Sequence, residues 1–116
     1  MLNNYAYYLS VRGEHLDKAE QMSKQSNEIQ PDQSSYEDTY GWVFYKEGKF
    51  NDAKTWIEKA LSHGADKSGT VLEHYGDILF KMGDLNKALE YWQKAKDAGD
   101  GSDLLDKKLA EKKLVE

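Results

Sequence analysis

An all-α architecture, built of antiparallel helix pairs stacked one on the next, is what the 116-residue sequence predicts. Three observations predict it. The stretch Tyr40–Leu61 returns as Tyr75–Lys96 at a constant offset of 35: Tyr40 matches Tyr75, Gly41 Gly76, Lys46 Lys81, Gly48 Gly83, Ala53 Ala88, Ile57 Trp92 and Ala60 Ala95. Within each copy the apolar residues fall at helical spacing, Leu72, Tyr75, Gly76 and Leu79 on one stripe and Ala53, Trp56, Ile57, Ala60 and Leu61 on another. Gly48 and Gly83 stand between the two stripes of their copies. A left-handed C′ residue closes a helix there, and glycine takes that conformation without steric cost.

The first copy, residues 1–34, is the weakest. Its first helix starts near residue 2, and Tyr5, Ala6 and Gly13 lie 35 before Tyr40, Gly41 and Gly48. Ala19 lies 34 before Ala53, so the turn at Glu14, His15 and Leu16 carries one extra residue. Ser23 and Ser26 replace the apolar residues of the later copies, which predicts the least stable pair. Pro31, the only proline, ends this copy.

Ser34, just before the second copy (residues 35–68), stands at capping-box spacing from Glu37, and Thr70 from Glu73 at the start of the third (residues 69–101). Asn51 and Asp84 stand where each second helix would be N-capped. Gly41 lies on the buried stripe, where the missing side chain lets two helix backbones approach, beside the small Ala53 and Ala60. Such close packing offsets the 0.5–1 kcal/mol or so that a helical glycine costs. The run DAGDGS then breaks the chain. Residues 102–116 read as a terminal helix with Leu104, Leu105 and Leu109 inward and the charges of Lys107–Lys113 solvated, a cover for the last apolar face of the array. The first helix has no cap and no helix before it. The chain is therefore expected to be the C-terminal portion of a longer repeat protein, with apolar surface exposed around Leu2, Tyr5 and Leu9 and a resulting capacity for weak self-association.

Composition removes several functions. A net charge of −5 leaves no nucleic-acid footprint. The absence of cysteine removes disulfides and thiolate chemistry. Mean hydropathy is −0.88, and no run approaches the roughly 18 apolar residues of a membrane span, so a soluble chain without membrane insertion is expected. MLNNYAYYLS has neither the basic start nor the apolar core of a signal peptide. The compartment is not fixed by any of this.

The order aromatic-Gly, aromatic, Gly, Ala, bulky apolar, Ala over about 34 residues resembles the tetratricopeptide repeat. Tyr40-Gly41, Phe44, Gly48, Ala53, Ile57 and Ala60 carry the resemblance, as do Tyr75-Gly76, Leu79, Gly83, Ala88, Trp92 and Ala95. It covers three copies and a capping helix. The family's early tryptophan is missing, with Leu2, Glu37 and Leu72 in its place, and its closing proline survives only as Pro31. The resemblance implies a right-handed superhelix whose first helices line a concave groove that binds a peptide segment of a partner.

Helical projection then names the groove residues: Asn3 and Tyr7; Asp38, Trp42, Tyr45 and Lys46; Glu73, Asp77, Phe80 and Lys81. Tyr7, Trp42, Tyr45 and Phe80 would anchor the ligand, because aromatics bury large areas for few frozen torsions. Asp38, Glu73 and Asp77 would favour a partner with basic as well as apolar residues. One subfamily grips the acidic tail of heat-shock chaperones with a clamp of Lys, Asn and Arg. The matching positions hold Asn3, Tyr7, Thr39, Thr70 and His74, so no such clamp is expected.

No catalytic, cofactor or metal chemistry is expected. Gly64–Gly69 before Thr70 has the outline of a phosphate loop but lacks the lysine and the preceding strand. Asp97, Asp100 and Asp103 are spaced for helix capping rather than for a calcium loop. His15, His63 and His74 share no metal spacing. His15 and His63 read as solvated turn residues, and His74 as a residue on the groove rim. The expected function is a non-enzymatic protein-interaction module. A structural spacer or self-association segment of a larger protein is the alternative.

Overall fold

Seven α-helices and one short 3₁₀ turn make up the computed structural model, which describes residues 2–114. They are α1 (Leu2–Arg12), α2 (Leu16–Ile29), α3 (Ser34–Lys46), α4 (Phe50–Ser62), α5 (Gly69–Lys81), α6 (Leu85–Ala98) and α7 (Leu105–Glu111), with the 3₁₀ turn at Ala65–Lys67. The Leu2 side chain, expected on an exposed apolar edge, lies outside the described residues, as do Met1 and the terminal Val115 and Glu116. α1 packs on α2, α3 on α4 and α5 on α6; α2 meets α3 and α4 meets α5, so the pairs stack in chain order. The first helices α1, α3 and α5 lie side by side, and α7 covers α6.

The glycine punctuation works as its chemistry predicts. Gly48 and Gly83 have φ of +81° and +89°. The Lys49 N–H reaches back to the Phe44 carbonyl and the Asp84 N–H to that of Leu79, both at 2.9 Å, which closes each helix with its last carbonyls bonded. Gly41 and Gly76 are notches. A Cβ on Gly41 would stand 2.8 Å from the Ile57 side chain, and one on Gly76 would stand 2.5 Å from the Trp92 indole. The large residue of each second helix therefore fills the space that the glycine leaves.

Helix starts depart from the sequence expectation. Asp84 caps α6 by accepting from the Lys87 N–H at 3.1 Å. Asn51, by contrast, lies inside α4, which starts at Phe50 without a side-chain cap. Neither capping box forms. α3 has Gln33 at its cap position with no side-chain bond, and α5 is capped by Ser68, which accepts from the Val71 N–H. Glu37 and Glu73 point instead across the helix stack to His63 and to Lys108. A buried carboxylate gains more from a cationic partner than from one backbone N–H.

One apolar core runs from Tyr40 to Leu105 through α3–α6. The first pair holds a smaller one of Ala6, Leu9, Ala19 and Val43. Leu9 is buried, so the exposed apolar strip of α1 is Tyr5, Tyr8 and Val11 rather than Leu9. Ser23 is fully buried, and its hydroxyl makes no hydrogen bond. In α7, Leu105 is buried and Leu109 partly so, while Leu104, just before the helix, is exposed. Lys108, expected on a solvated face, is 3% exposed.

Candidate functional site

Three cavities follow one another along the face made by α1, α3 and α5. The largest, about 690 Å³, opens where the three helices begin and is lined by Asn3, Tyr7, Ser35, Asp38, Thr39, Thr70 and Val71, among others. The next, about 410 Å³, is lined by Tyr7, Trp42, Lys46, Glu73, His74, Asp77 and Lys108, with the 100–102 turn as a wall. A third, about 300 Å³, lies at the helix ends against Tyr45, Lys46 and Lys81. Nine of the ten projected groove residues line one of these cavities. The tenth, Phe80, lines none of them and packs against Trp92 at a ring separation of 5.8 Å.

Several of these side chains are less available than the projection assumed. Trp42 and Tyr45 are buried rather than displayed. Trp42 is stacked between Tyr45, at 4.4 Å between ring centroids, and His74, at 3.8 Å, with the Lys46 ammonium 5.6 Å from its ring centroid. Its edge forms a cavity wall; its faces are used by the protein itself. His74 is likewise buried and not on the rim, with Nδ1 2.9 Å from Asp38 Oδ1. Tyr7 is half-buried, and burial together with Asp38 and Glu73 raises its hydroxyl pKa above the ordinary value.

The three groove carboxylates are not free to attract a basic ligand. Asp38 faces His74. Glu73 accepts from Lys108 Nζ at 2.6 Å and from the Ser102 N–H at 2.7 Å, as well as from the Ser102 hydroxyl. Asp77 accepts from Lys108 Nζ and from Trp92 Nε1, each at 2.9 Å. Burial pushes the Glu73 carboxyl up, but the hydrogen bonds from Lys108 and Ser102 outweigh it and hold the group below its usual range. For the more deeply buried Asp77, desolvation wins over Lys108 and Trp92 and holds the carboxyl above its usual range. The same ammonium favours the charged form of both carboxyls, and outweighs burial with its co-donors at Glu73 but not at Asp77.

Sequence reasoning missed Lys108, and a signal for it existed. Lys108 falls between Leu105 and Leu109 at i+3 and i−1, on the inward stripe of a helix read as charged outside. Asp100 caps a helix, as its spacing suggested; the helix is α5, through the Gly69 N–H. His63 is a second omission. Its Nδ1 lies 2.8 and 2.9 Å from the two Glu37 oxygens, which raises its pKa above the ordinary value. Glu37 and His63 are 26 positions apart, a separation that no motif captures.

On the opposite side of α3, Glu20 and Glu47 share a site with Lys49, whose Nζ lies 2.8 Å from Glu20 and 3.9 Å from Glu47. Burial, followed by the bond to Glu20, pushes the Glu47 carboxyl up to about 7.

Comparison with known proteins agrees with this architecture. The tetratricopeptide repeat family model matches residues 70–98, the α5–α6 pair. The TPR repeat-containing protein PA4667 of Pseudomonas aeruginosa is 29% identical over 76 residues, 66% of this chain; the match spans only 12% of that relative's length. Among solved structures, the Sgt2 TPR domain from Aspergillus fumigatus superposes with a TM-score of 0.83 at 22% identity, covering 96% of this chain and 74% of that one. The first TPR of Spaghetti (RPAP3), solved with an HSP90 peptide, gives a TM-score of 0.83 at 13% identity, covering 96% and 86%. YrrB, described as a TPR protein with an unusual peptide-binding site, gives 0.72 at 26% identity, covering 84% and 50%. Repeat register, notched helix pairs and these likenesses agree: the chain has the fold of tetratricopeptide-repeat domains, and its α5–α6 pair matches that family's model.

Proposed function

We propose that the chain is a non-enzymatic interaction module that binds a peptide or protein segment along the α1–α3–α5 face. The observation that carries this reading is the run of three cavities on that one face, the largest of about 690 Å³. The same fold in Spaghetti (RPAP3) is seen holding an HSP90 peptide, which supports the mode of binding but not that ligand. No Lys or Arg lines the largest cavity, so a multiply acidic tail has no cation to meet there. With Asp38, Glu73 and Asp77 already partnered, the segment that fits is apolar and hydrogen-bonding rather than strongly basic. Tyr7 borders both larger cavities and is the central contact.

The test is selection of binders from a random displayed peptide library on the full chain, followed by amide-shift mapping with the best peptide. Shifts should gather at Tyr7, Thr39 and Thr70. Tyr7→Ala should weaken binding about tenfold or more while the chain stays folded at the assay temperature, with only the melting-temperature loss expected of a half-buried side chain. Shifts confined to the outer faces of α2, α4 and α6 would overturn the proposal. The alternative of self-association draws on Tyr5, Tyr8 and Val11, which are 45, 52 and 54% exposed in one strip of α1. Sedimentation that stays monomeric at high concentration would dismiss it.

A further inference from the structure

Asp32, Glu37 and His63 come from three different elements: the turn after Pro31, the first turn of α3 and the end of α4. Their ligand atoms nonetheless all lie within 4.8 Å of one another. Glu37 is 2% exposed, and both its oxygens face His63 Nδ1. That bond places the ring proton on Nδ1 and leaves the Nε2 lone pair facing outward. A carboxylate behind the ring is the arrangement that orients a histidine for a metal and raises its basicity.

In front of the ring, Nε2 stands 3.8 Å from Asp32 Oδ1. That is too long for a hydrogen bond. Two donors that share a tetrahedral zinc ion at 2.0–2.1 Å each lie about 3.4 Å apart. Asp32 has an exposed carboxylate, so a small rotation closes the difference. His63 is about one-third exposed, which leaves room for water at the remaining positions. Lys59, one turn earlier in α4, holds its ammonium over the Trp56 ring at 4.1 Å from the centroid, engaged there rather than over the site. Nitrogen plus carboxylate donors suit zinc and its neighbours better than calcium or magnesium, which favour all-oxygen shells.

We propose that this cluster is a binding site for a divalent transition-metal ion of the zinc type, with His63 Nε2 and Asp32 Oδ1 as ligands and Glu37 holding the ring. The site is independent of the peptide-binding reading. It would tie the turn between the first two helix pairs to the end of α4.

The probe is Zn²⁺ alone, titrated calorimetrically into the metal-stripped full chain, with Co²⁺ absorption as a second readout. One saturating equivalent is expected, along with a metal-induced shift of the His63 Nε2 resonance. Asp32→Asn, an exposed change that leaves the fold intact, should weaken binding at least tenfold, and His63→Ala should abolish it. His15→Ala should change nothing. Glu37→Gln should lower affinity about 10- to 100-fold, the usual effect of removing a ring-orienting carboxylate. No saturation at millimolar Zn²⁺, or saturation indifferent to Asp32→Asn, would overturn the proposal. Unchanged affinity in Glu37→Gln would overturn the role given to Glu37.

Discussion

Replacing Lys108 by methionine tests the central electrostatic claim. The methionine keeps most of the buried stem and removes only the ammonium. Two carboxylates, at 2.6 and 2.9 Å from Nζ, then lose their common cation inside the protein. Breaking a buried ion pair by deleting one partner costs about 3–5 kcal/mol, because the other charge stays buried and uncompensated. Here Glu73 keeps two bonds from Ser102 and Asp77 keeps Trp92 Nε1, so the lower end applies, about 3 kcal/mol at pH 7. The sign with pH follows from Glu73. Its folded pKa is depressed, so its contribution is full above the ordinary carboxyl pKa and is lost as pH falls through the folded value. The Lys108→Met deficit should therefore shrink in acid. The assay is urea unfolding of both proteins at pH 7 and pH 4, with hydrogen exchange on α7. The variant Glu73→Gln/Asp77→Asn/Lys108→Met removes all three charges and should recover most of the loss, since apolar or neutral replacement of a buried ion cluster is often neutral. A cost below about 1 kcal/mol for Lys108→Met at pH 7, or a triple variant no better than the single one, would refute the reasoning.

Other outcomes follow from the same geometry. Gly76→Ala should destabilise by about 1–3 kcal/mol in thermal or urea unfolding, because the new methyl meets an indole that its bond to Asp77 holds in place. Gly41→Ala should also destabilise but cost less, since its contacts with Ile57 are longer, at 2.8 Å, and no side-chain hydrogen bond holds Ile57 in place. Trp42→Ala should destabilise by about 3–5 kcal/mol, because the ring is buried between Tyr45 and His74 instead of exposed in an open groove. Glu47 has a folded pKa raised to about 7, so its stabilising contribution is full below the ordinary carboxyl value and is lost as pH rises through about 7. Glu47→Gln should therefore raise the melting temperature at pH 8 and leave it nearly unchanged at pH 4. Ser23→Ala should be neutral or stabilising by about 1 kcal/mol, since it removes a buried hydroxyl with no hydrogen bond.

What the sequence determined by itself is whatever depends on local chemistry repeated in register. Gly48 and Gly83 end their helices because only a residue without Cβ takes a left-handed turn cheaply, and that is legible one residue at a time. The helix pairs follow from apolar spacing, and the equivalence of Gly41 with Gly76 and of Ile57 with Trp92 from the shared offset, whereas the structure shows that the large residue fills the notch beside each glycine. The face carrying Tyr7, Asp38, Trp42, Glu73 and Asp77 follows from helical projection alone. The tertiary structure decided which of those side chains remain available. Glu73 and Asp77 find Lys108 35 and 31 positions away, Asp38 finds His74 at 36, and Glu37 leaves a capping box for His63 at 26. Periodicity reports the direction in which a side chain leaves its helix. It does not report which charge from a distant turn will be brought against it, and a buried carboxylate is bound to take the strongest partner that packing delivers.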